Sequence, residues 1–376
     1  MTEGVKHSSL TVSEPKSASD WRWQMRHQIT SAAEFARFFA GRESDAEGLD
    51  GVIQSQADAF RFAVTPYYLS LARPDDAACP ILAQVLPRDV ETLDARFPDL
   101  DPLAEESHSP VPGLTHRYPD RVLWYLTHRC AVYCRFCLRK RKVSRAESAP
   151  TRSARQAVVE YVRAHTEIKE VILSGGDPLA LGDDDLDRIL GDLRDIPHLV
   201  SIRIHSRMPV TLPMRFTPEL LAVLGRHYPL TLVAHFNHAV ELTPEAVAAV
   251  RALRMQGVHV LNQAVLLKDV NDTVAAQEDL HLSLLRAGVK PYYLHQCDEV
   301  RGVSHFRVPI ERGLDIMRAM RGRNPGIALP RYVLDLAGGG GKVPLEPEYF
   351  LGRETGADGD VLVFRNWAGD EYRVRP

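Results

Sequence analysis

Three of the five cysteines in this chain of 376 residues fall within the eight residues CAVYCRFC, at Cys130, Cys134 and Cys137. Thiols this close together are poor disulfide partners for one another, so the CxxxCxxC spacing indicates metal binding or redox chemistry. Four soft ligands would complete a structural zinc site or a fully ligated iron–sulfur cluster. Three leave one coordination position open, which is typical of a site that a substrate or cofactor completes.

Three alternatives compete with an open iron–sulfur cluster. Cys134 and Cys137 form a CxxC pair that could act in redox exchange, although this leaves Cys130 without a role. His128 could complete a Cys₃His zinc site, but its position within or just after a predicted strand suits a ligand poorly. Three separate buried thiols are the remaining interpretation. The residues favour an open [4Fe–4S] cluster and leave these alternatives open.

A run of four glycines, residues 338–341, precedes Lys342. The simplest interpretation is a flexible loop that ends in a surface lysine. A phosphate-binding Walker loop is excluded, because Leu336 and Val343 stand where that motif requires glycine and serine or threonine. A lysine that forms and releases an imine with pyridoxal 5′-phosphate (PLP) needs a mobile backbone and close approach, and glycines provide both.

The elements that would position these residues include six short apolar runs after residue 120. They are RVLWYLTHR, EVILSGGD, VSIRIHSR, LTLVAHFNH, VHVLNQAVLL and KPYYLHQCD. Amphipathic segments such as residues 184–196 lie between the runs, and Thr-Pro-Glu at 217–219 and 243–245 marks two helix starts. Strand and helix in alternation predict an α/β fold with a parallel sheet, which is either open or closed into a barrel.

Each apolar run contains or ends in polar residues, and the strands of a parallel sheet present their carboxyl ends at one edge. These polar positions are 127–130, 174–177, 205–207, 235–238, 262–263 and 296–298. A turn or a hydrogen-bonded core histidine explains any one of them alone. Together they predict a single active site at that edge.

The composition is that of an ordinary globular protein, with 45% hydrophobic residues, 25% charged residues and a net charge of −3. Nucleic-acid and membrane partners are disfavoured, since no broad positive charge and no apolar run of about 20 residues is present. Residues 1–19 are expected to be a disordered leader without a secretory signal, which favours a cytoplasmic protein. We expect a helical N-terminal region at 20–110, a core at 111–300 and a C-terminal region at 301–376.

The cysteine motif, with an aromatic residue before its last cysteine, resembles that of the radical S-adenosylmethionine (SAM) superfamily. The motif SGGD is similar to the glycine-rich motif of that superfamily, which receives the amino group of SAM; its residues are Ser174, Gly175, Gly176 and Asp177. The resemblance implies that the three cysteines hold a [4Fe–4S] cluster whose open iron is chelated by SAM. It also implies that the reduced cluster cleaves SAM to give a 5′-deoxyadenosyl radical.

From about Asp20 to about Val374, the chain resembles the lysine 2,3-aminomutase family, whose members depend on PLP. The matching motifs are VPGLTHRYPDRVL, SGGD, IHSRMPV, HFNH, VNDT, KPYYLHQCD, SHFRVP, LDLAGGGGK and FRNWAG. The resemblance implies an incomplete (β/α)6 barrel that converts L-lysine to β-lysine. It further implies an electron donor such as flavodoxin or ferredoxin, and a homo-oligomer.

The same resemblance implies roles in cofactor binding at matching positions. Lys342 would bind PLP through an imine, and Arg117 and Arg121 would clamp its phosphate, which suits bidentate guanidinium chemistry. His235 and Gln263 match residues that contact SAM. Longer members of the family carry additional cysteines that bind a structural zinc, and this sequence lacks them at the matching positions. No zinc is therefore expected.

For the substrate, the resemblance implies that Arg139 grips the carboxylate and that Asp298 and Asp335 meet the ε-ammonium. Capping a turn is the common role of a single aspartate. Two carboxylates together repel unless a cation lies between them, and an ammonium group offers three donors. This predicts lysine and disfavours glutamate. The alternatives are a related aminomutase, either one that makes β-lysine for elongation factor P or one acting on arginine or glutamate, and a non-catalytic iron–sulfur protein.

Overall fold

The computed structural model describes residues 19–40, 49–56, 60–93, 97, 99–143, 150–356 and 359–376. All but the last residue of the leader predicted at 1–19 lies outside this set. The predicted division of the chain into four segments stays a prediction. Helices of the N-terminal region and strands of the central sheet share one apolar core.

The described residues between 20 and 110 form six short α-helices. They are α1 (Trp21–Arg26), α2 (Ala32–Phe38), α3 (Leu49–Gln56), α4 (Pro66–Ser70), α5 (Pro80–Val85) and α6 (Val90–Leu93). Polar caps begin the first two, since the side chains of Asp20 and Ser31 accept hydrogen bonds from backbone N–H groups of the first turn. Trp21, Phe35 and Tyr68 are buried in the same apolar core as the strands that follow.

Within the described parts of the chain, nine strands form the central sheet in chain order. They are β1 (Leu114–Tyr118), β2 (Arg121–Thr127), β3 (Glu170–Gly175), β4 (Ser201–Ser206), β5 (Thr231–Ala234), β6 (His259–Leu266), β7 (Lys290–Gln296), β8 (Arg331–Leu336) and β9 (Gly341–Pro344). Strands β2 to β8 run parallel, and the edge strands β1 and β9 pair antiparallel with β2 and β8. The six predicted runs form β2 to β7, so the predicted α/β fold with an incomplete barrel is confirmed. Strand β8 is a seventh parallel strand that the sequence analysis did not predict.

Helices connect the parallel strands. They are α7 (Arg152–Ala164), α8 (Asp183–Arg194), α9 (Met208–Thr211), α10 (Pro218–Arg226), α11 (Pro244–Met255), α12 (Val274–Arg286) and α13 (Ile310–Met320). Both predicted helix starts are confirmed, because Thr217 and Thr243 cap α10 and α11. Helix α8 buries Leu186, Leu190 and Leu193 in the core, as its amphipathic pattern predicted.

The barrel is incomplete because, within the described residues, no backbone ladder joins β1 to β9. A separate antiparallel sheet follows β9, made of β10 (Phe350–Gly356), β11 (Gly359–Arg365) and β12 (Glu371–Val374). Among the described helices, none is both long enough and apolar enough to cross a membrane.

Candidate active site

Two neighbouring cavities lie in and above the barrel. The larger, of about 400 Å³, runs along its interior between β2, β3, β4, β7 and β8, and the smaller, of about 180 Å³, lies at the carboxyl ends of the strands. The residues that line both cavities are Leu138, Arg139, His205, Gln263 and His295. Every predicted site residue lines one cavity or both. The smaller cavity holds Cys130, Cys134, Cys137, Ser174, Gly175, Gly176, Asp177, His235 and Asp298, and the larger holds Arg117, Arg121, Asp335 and Lys342.

The cysteine loop follows β2 and is held by the N-terminal helices. The side-chain amide of Gln28 donates hydrogen bonds to the backbone oxygens of Cys130 (3.0 Å) and Ala131 (2.8 Å). The three thiols are not joined in a disulfide, and burial raises the pKa of Cys137 to about 11. In the described chain no three His, Cys, Asp or Glu side chains converge to hold a single metal ion. Separate sulfurs around one small cavity instead suit a cluster, in which each cysteine ligates its own iron.

An arginine that the sequence analysis did not single out as a site residue contacts this cluster of thiols. Arg207, just after β4, donates from Nη1 to the sulfur of Cys134 at 2.7 Å. Its Nη2 is held by Glu241 (2.8 Å), by Gln84 (2.5 Å) and by the hydroxyl of Tyr68 (3.1 Å), all of them buried. The signals in the sequence were its place at the polar end of a strand and within the IHSRMPV motif.

The glycines of the SGGD motif have a packing role in the fold. A Cβ at Gly176 would lie 2.4 Å from the carbonyl oxygen of Arg129. The glycines therefore allow the end of β3 to pack against the start of the cysteine loop. The carboxylate of Asp177 accepts hydrogen bonds from Ser206 and from the backbone N–H groups of Leu179 and Arg207. Burial nevertheless raises the pKa of Asp177 to about 6.

Lys342 and Asp335 face each other across the antiparallel ladder of β9 and β8, so their side chains project on the same face. The amine of Lys342 contacts the Asp335 carboxylate and lies 3.3 Å from Nδ1 of His295, a residue that the sequence analysis did not single out. Burial opposes ionisation of Asp335, but the hydrogen bond from His295 and the charge of Lys342 outweigh it and hold the pKa of Asp335 well below its usual range.

Basic side chains line the larger cavity near Lys342. Arg117 lies 3.7 Å from the Asp335 carboxylate, and its Nε is buried without a hydrogen-bond partner among the described residues. Arg121 sits at the rim, where it pairs with Asp120 at 3.1 Å. Arg203, which the sequence analysis did not single out, also points into this cavity and has an unpartnered buried Nε. These guanidinium groups fit a phosphate group, which accepts paired hydrogen bonds.

Arg139 is held by a residue that no sequence motif indicated. Its Nε and Nη2 donate to one carboxylate oxygen of Glu105 at 3.2 and 3.0 Å, and Nε also donates to the hydroxyl of Tyr125 at 3.1 Å. Burial would raise the pKa of Glu105, but the charges of Arg139 and Arg141 and the hydrogen bonds from Tyr125 and Arg139 together outweigh burial and lower this pKa to about 2. The Nη1 edge of Arg139 makes no hydrogen bond within the described chain, and the residue lines both cavities.

Several buried polar atoms around the smaller cavity have no hydrogen-bond partner in the described residues. They are Oδ1 of Asp298 and the Nε2 atoms of His205, His235 and His295. Burial and the nearby charge of Asp335 raise the pKa of Asp298 to about 7. Burial lowers the pKa of His205 and of His235 well below the usual value, so both rings are neutral. Buried polar atoms without partners are costly, which indicates a site built for polar ligands.

Comparison with known proteins agrees with this chemistry. Residues 124–280 match the Radical SAM superfamily, and residues 317–371 match the family described as Lysine-2,3-aminomutase. The chain is 40% identical over 351 residues to L-lysine 2,3-aminomutase of Clostridium subterminale, which covers 93% of this chain and 82% of that protein.

Two further relatives show the breadth of the similarity. The putative L-lysine 2,3-aminomutase of Aquifex aeolicus is 42% identical over 360 residues, covering 94% of this chain and 95% of that protein. The glutamate 2,3-aminomutase of Clostridioides difficile is 37% identical over 356 residues, covering 95% of this chain and 82% of that protein. By these similarities the chain belongs to the lysine 2,3-aminomutase family of radical SAM enzymes, and it is an isomerase.

Proposed function

We propose that this chain is a PLP-dependent aminomutase that interconverts L-lysine and β-lysine by moving the amino group between C2 and C3. The observation that carries the proposal is the charge distribution around the joined cavities. Asp298 and Asp335 supply two carboxylates, and the free edge of Arg139 supplies a guanidinium on the wall that the cavities share. A long amino acid with a cationic side chain and a carboxylate matches both groups.

The radical SAM superfamily uses a [4Fe–4S] cluster and SAM, and lysine 2,3-aminomutases use PLP. The residues of this chain fit all three groups. We propose that Cys130, Cys134 and Cys137 hold the cluster and that SAM lies in the smaller cavity, against the SGGD motif, His235 and Gln263. The larger cavity would hold PLP, with Lys342 as the imine-forming lysine. Its phosphate would lie on Arg117 and Arg121, and the unpartnered Nε of Arg117 supports this assignment.

When bound, the reduced cluster and SAM supply the radical that removes a hydrogen atom, and PLP supplies the ring that stabilises the migrating nitrogen. The chain's own contribution is position and exclusion of water. Arg139, fixed by Glu105, would orient the substrate carboxylate through its free edge. Lys342 would leave Asp335 on binding the cofactor, and the Asp335 carboxylate would then be available to the substrate ammonium.

Glutamate is the strongest competing substrate, because one relative acts on it. Its side-chain carboxylate would face two further carboxylates, and Asp335 stays ionised because the pKa of this group is held well below the usual range. Like charges that face one another in a buried site repel, so the site disfavours glutamate. Arginine pairs well with carboxylates but is larger than lysine. An aminomutase that supplies β-lysine to elongation factor P would carry out the same 2,3-amino shift on lysine.

The experiment that tests the proposal is anaerobic reconstitution with iron, sulfide, PLP, SAM and dithionite, followed by chromatography of the products from lysine, arginine and glutamate. We expect β-lysine as the main product. Preferred conversion of glutamate would overturn the substrate assignment, and iron binding without any turnover would favour a non-catalytic iron–sulfur protein. In the cell, we propose that a flavodoxin or ferredoxin of the cytoplasm supplies the electron and that the enzyme forms a homo-oligomer.

A further inference from the structure

His295 lines both cavities and lies close to Asp335, one of the two acids of the proposed substrate site. On β7, its Nδ1 lies 3.3 Å from Nζ of Lys342 and 3.4 Å from a carboxylate oxygen of Asp335. Its Nε2 is buried and has no hydrogen-bond partner among the described residues, and the same holds for Oδ1 of Asp298. His295 and Asp298 both line the smaller cavity. The wall of one cavity therefore contains two residues that each carry a buried polar atom without a partner.

The neighbours of Nδ1 decide which nitrogen of His295 carries the proton. Lys342 and Asp335 both lie within reach of Nδ1 in this structure. Once Lys342 turns to the cofactor, Asp335 is the remaining partner, so Nδ1 donates its proton to that carboxylate and Nε2 keeps its lone pair. Burial, together with the charge of Lys342, lowers the pKa of His295 to about 4. Burial is the larger cause and remains when Lys342 turns to the cofactor, so the ring stays neutral at physiological pH. A neutral ring with this tautomer presents an acceptor to the site.

We infer that Nε2 of His295 is the third acceptor for the ε-ammonium of the substrate, beside Asp298 and Asp335. An ammonium group has three N–H donors and no acceptor, so three acceptors satisfy it completely. The inference rests on the proposed lysine 2,3-aminomutase activity and makes His295 a residue that determines specificity. A neutral acceptor adds a hydrogen bond without adding charge, which favours the ammonium of lysine over an uncharged side-chain end.

The test compares binding of L-lysine with binding of L-norleucine, which has the same chain but ends in a methyl group. The holoenzyme, reconstituted with iron, sulfide, PLP and SAM and kept without a reductant, binds substrate but does not turn it over. Equilibrium dialysis then gives dissociation constants directly. His295→Asn keeps a donor near the position of Nδ1 and loses the acceptor. His295→Gln extends an amide oxygen to the position of Nε2.

We expect His295→Asn to weaken lysine binding about 10- to 100-fold, the range for a hydrogen bond to a charged group, and to leave norleucine binding unchanged. His295→Gln should retain most of the wild-type affinity for lysine. His295→Phe fills the space of the ring without either nitrogen and should behave as His295→Asn does, which covers the case of an Asn variant that fails to fold. His116→Asn is the matched control, because His116 lies on β1 outside both cavities.

Equal losses for lysine and norleucine, or unchanged lysine binding in His295→Asn and His295→Phe, would overturn the inference. A wild-type enzyme that converts glutamate and not lysine would overturn the proposed function instead. A wild-type enzyme that makes β-lysine, together with an unchanged preference for lysine over norleucine in the variants, would overturn only the role of His295.

Discussion

The phenol oxygen of Tyr118 accepts a hydrogen bond of 2.7 Å from the backbone N–H of Lys342. Tyr118 ends β1 and Lys342 lies on β9, so this bond connects the two edge strands of the sheet. Gly341 makes the approach possible, because its φ of +87° suits glycine and a Cβ there would lie 3.1 Å from the phenol oxygen. The lysine proposed to hold PLP is therefore positioned by the strand farthest from it in the order of the sheet.

Tyr118→Phe should weaken the retention of PLP. The substitution leaves the N–H of Lys342 without its acceptor, and an unpaired polar group of this kind costs about 1–3 kcal/mol. We expect the dissociation constant of PLP, measured from its absorption after dialysis, to rise by about 5- to 100-fold. Tyr161→Phe is the control, since Tyr161 also makes a hydrogen bond but lies outside both cavities. Wild-type PLP affinity in Tyr118→Phe would contradict this positioning role.

Replacement of Cys130, Cys134 or Cys137 by alanine should remove most of the bound iron and abolish SAM cleavage, because each thiolate would ligate a different iron of the cluster. Iron analysis and the release of 5′-deoxyadenosine measure the two effects. Cys79→Ala should behave as wild type in both assays, since Cys79 is buried outside the cavities. A single variant of the three with full iron content and intact SAM cleavage would refute the assignment.

Borohydride reduction of the PLP-loaded enzyme should fix the cofactor to the peptide that contains Lys342, because reduction converts the imine to a stable amine. Mass spectrometry of the digest identifies the labelled peptide. Lys342→Ala is expected to retain some PLP through Arg117 and Arg121, so the position of the label, and not the loss of turnover, decides the question. A label on any other lysine would contradict the assignment of Lys342 as the lysine that binds PLP.

Asp298→Asn should stabilise the fold at neutral and alkaline pH while it impairs catalysis. Because the pKa of Asp298 is raised to about 7, the folded state binds this proton more tightly than the unfolded state. The free energy of unfolding of the wild type therefore decreases as the pH rises from about 4 to 7. Above pH 7 the total decrease approaches about 4 kcal/mol. The asparagine variant avoids this decrease. Its free energy of unfolding, measured with urea, should therefore exceed that of the wild type by more at pH 8 than at pH 5.

Asp335→Asn should have the opposite effect on the stability of the fold, because the pKa of Asp335 is held well below its usual range. Its carboxylate stabilises the fold above the usual aspartate pKa of about 4, and the asparagine variant should be less stable than wild type at pH 8. Either variant should lower kcat/KM for lysine about 10- to 1000-fold, as expected for losing a charged contact. Equal turnover of lysine by both variants and wild type would contradict the assignment of the two acids.

The sequence alone was sufficient to predict the strands β2 to β7, the starts of α10 and α11, and the candidate site as a group. Alternating strand and helix patterns and Thr-Pro caps are local, so neighbouring residues encode them. The rule that parallel strands present their carboxyl ends at one edge then placed the cysteines, the SGGD motif and Asp298 around one cavity. The run of glycines already indicated Lys342, whereas the resemblance to a known family, and not any local pattern, indicated Asp335 and Arg117.

Only the tertiary structure decided which partners these residues have. Glu105 holds Arg139 from a turn 34 positions earlier, and Tyr118 holds the backbone of Lys342 from 224 positions away. The same applies to His295, whose place in the lining of both cavities depends on how β7 packs beside β8. Contacts at such separations form when strands pair and close into a barrel, and the identity of a partner across a sheet is set by register, which no local spacing specifies.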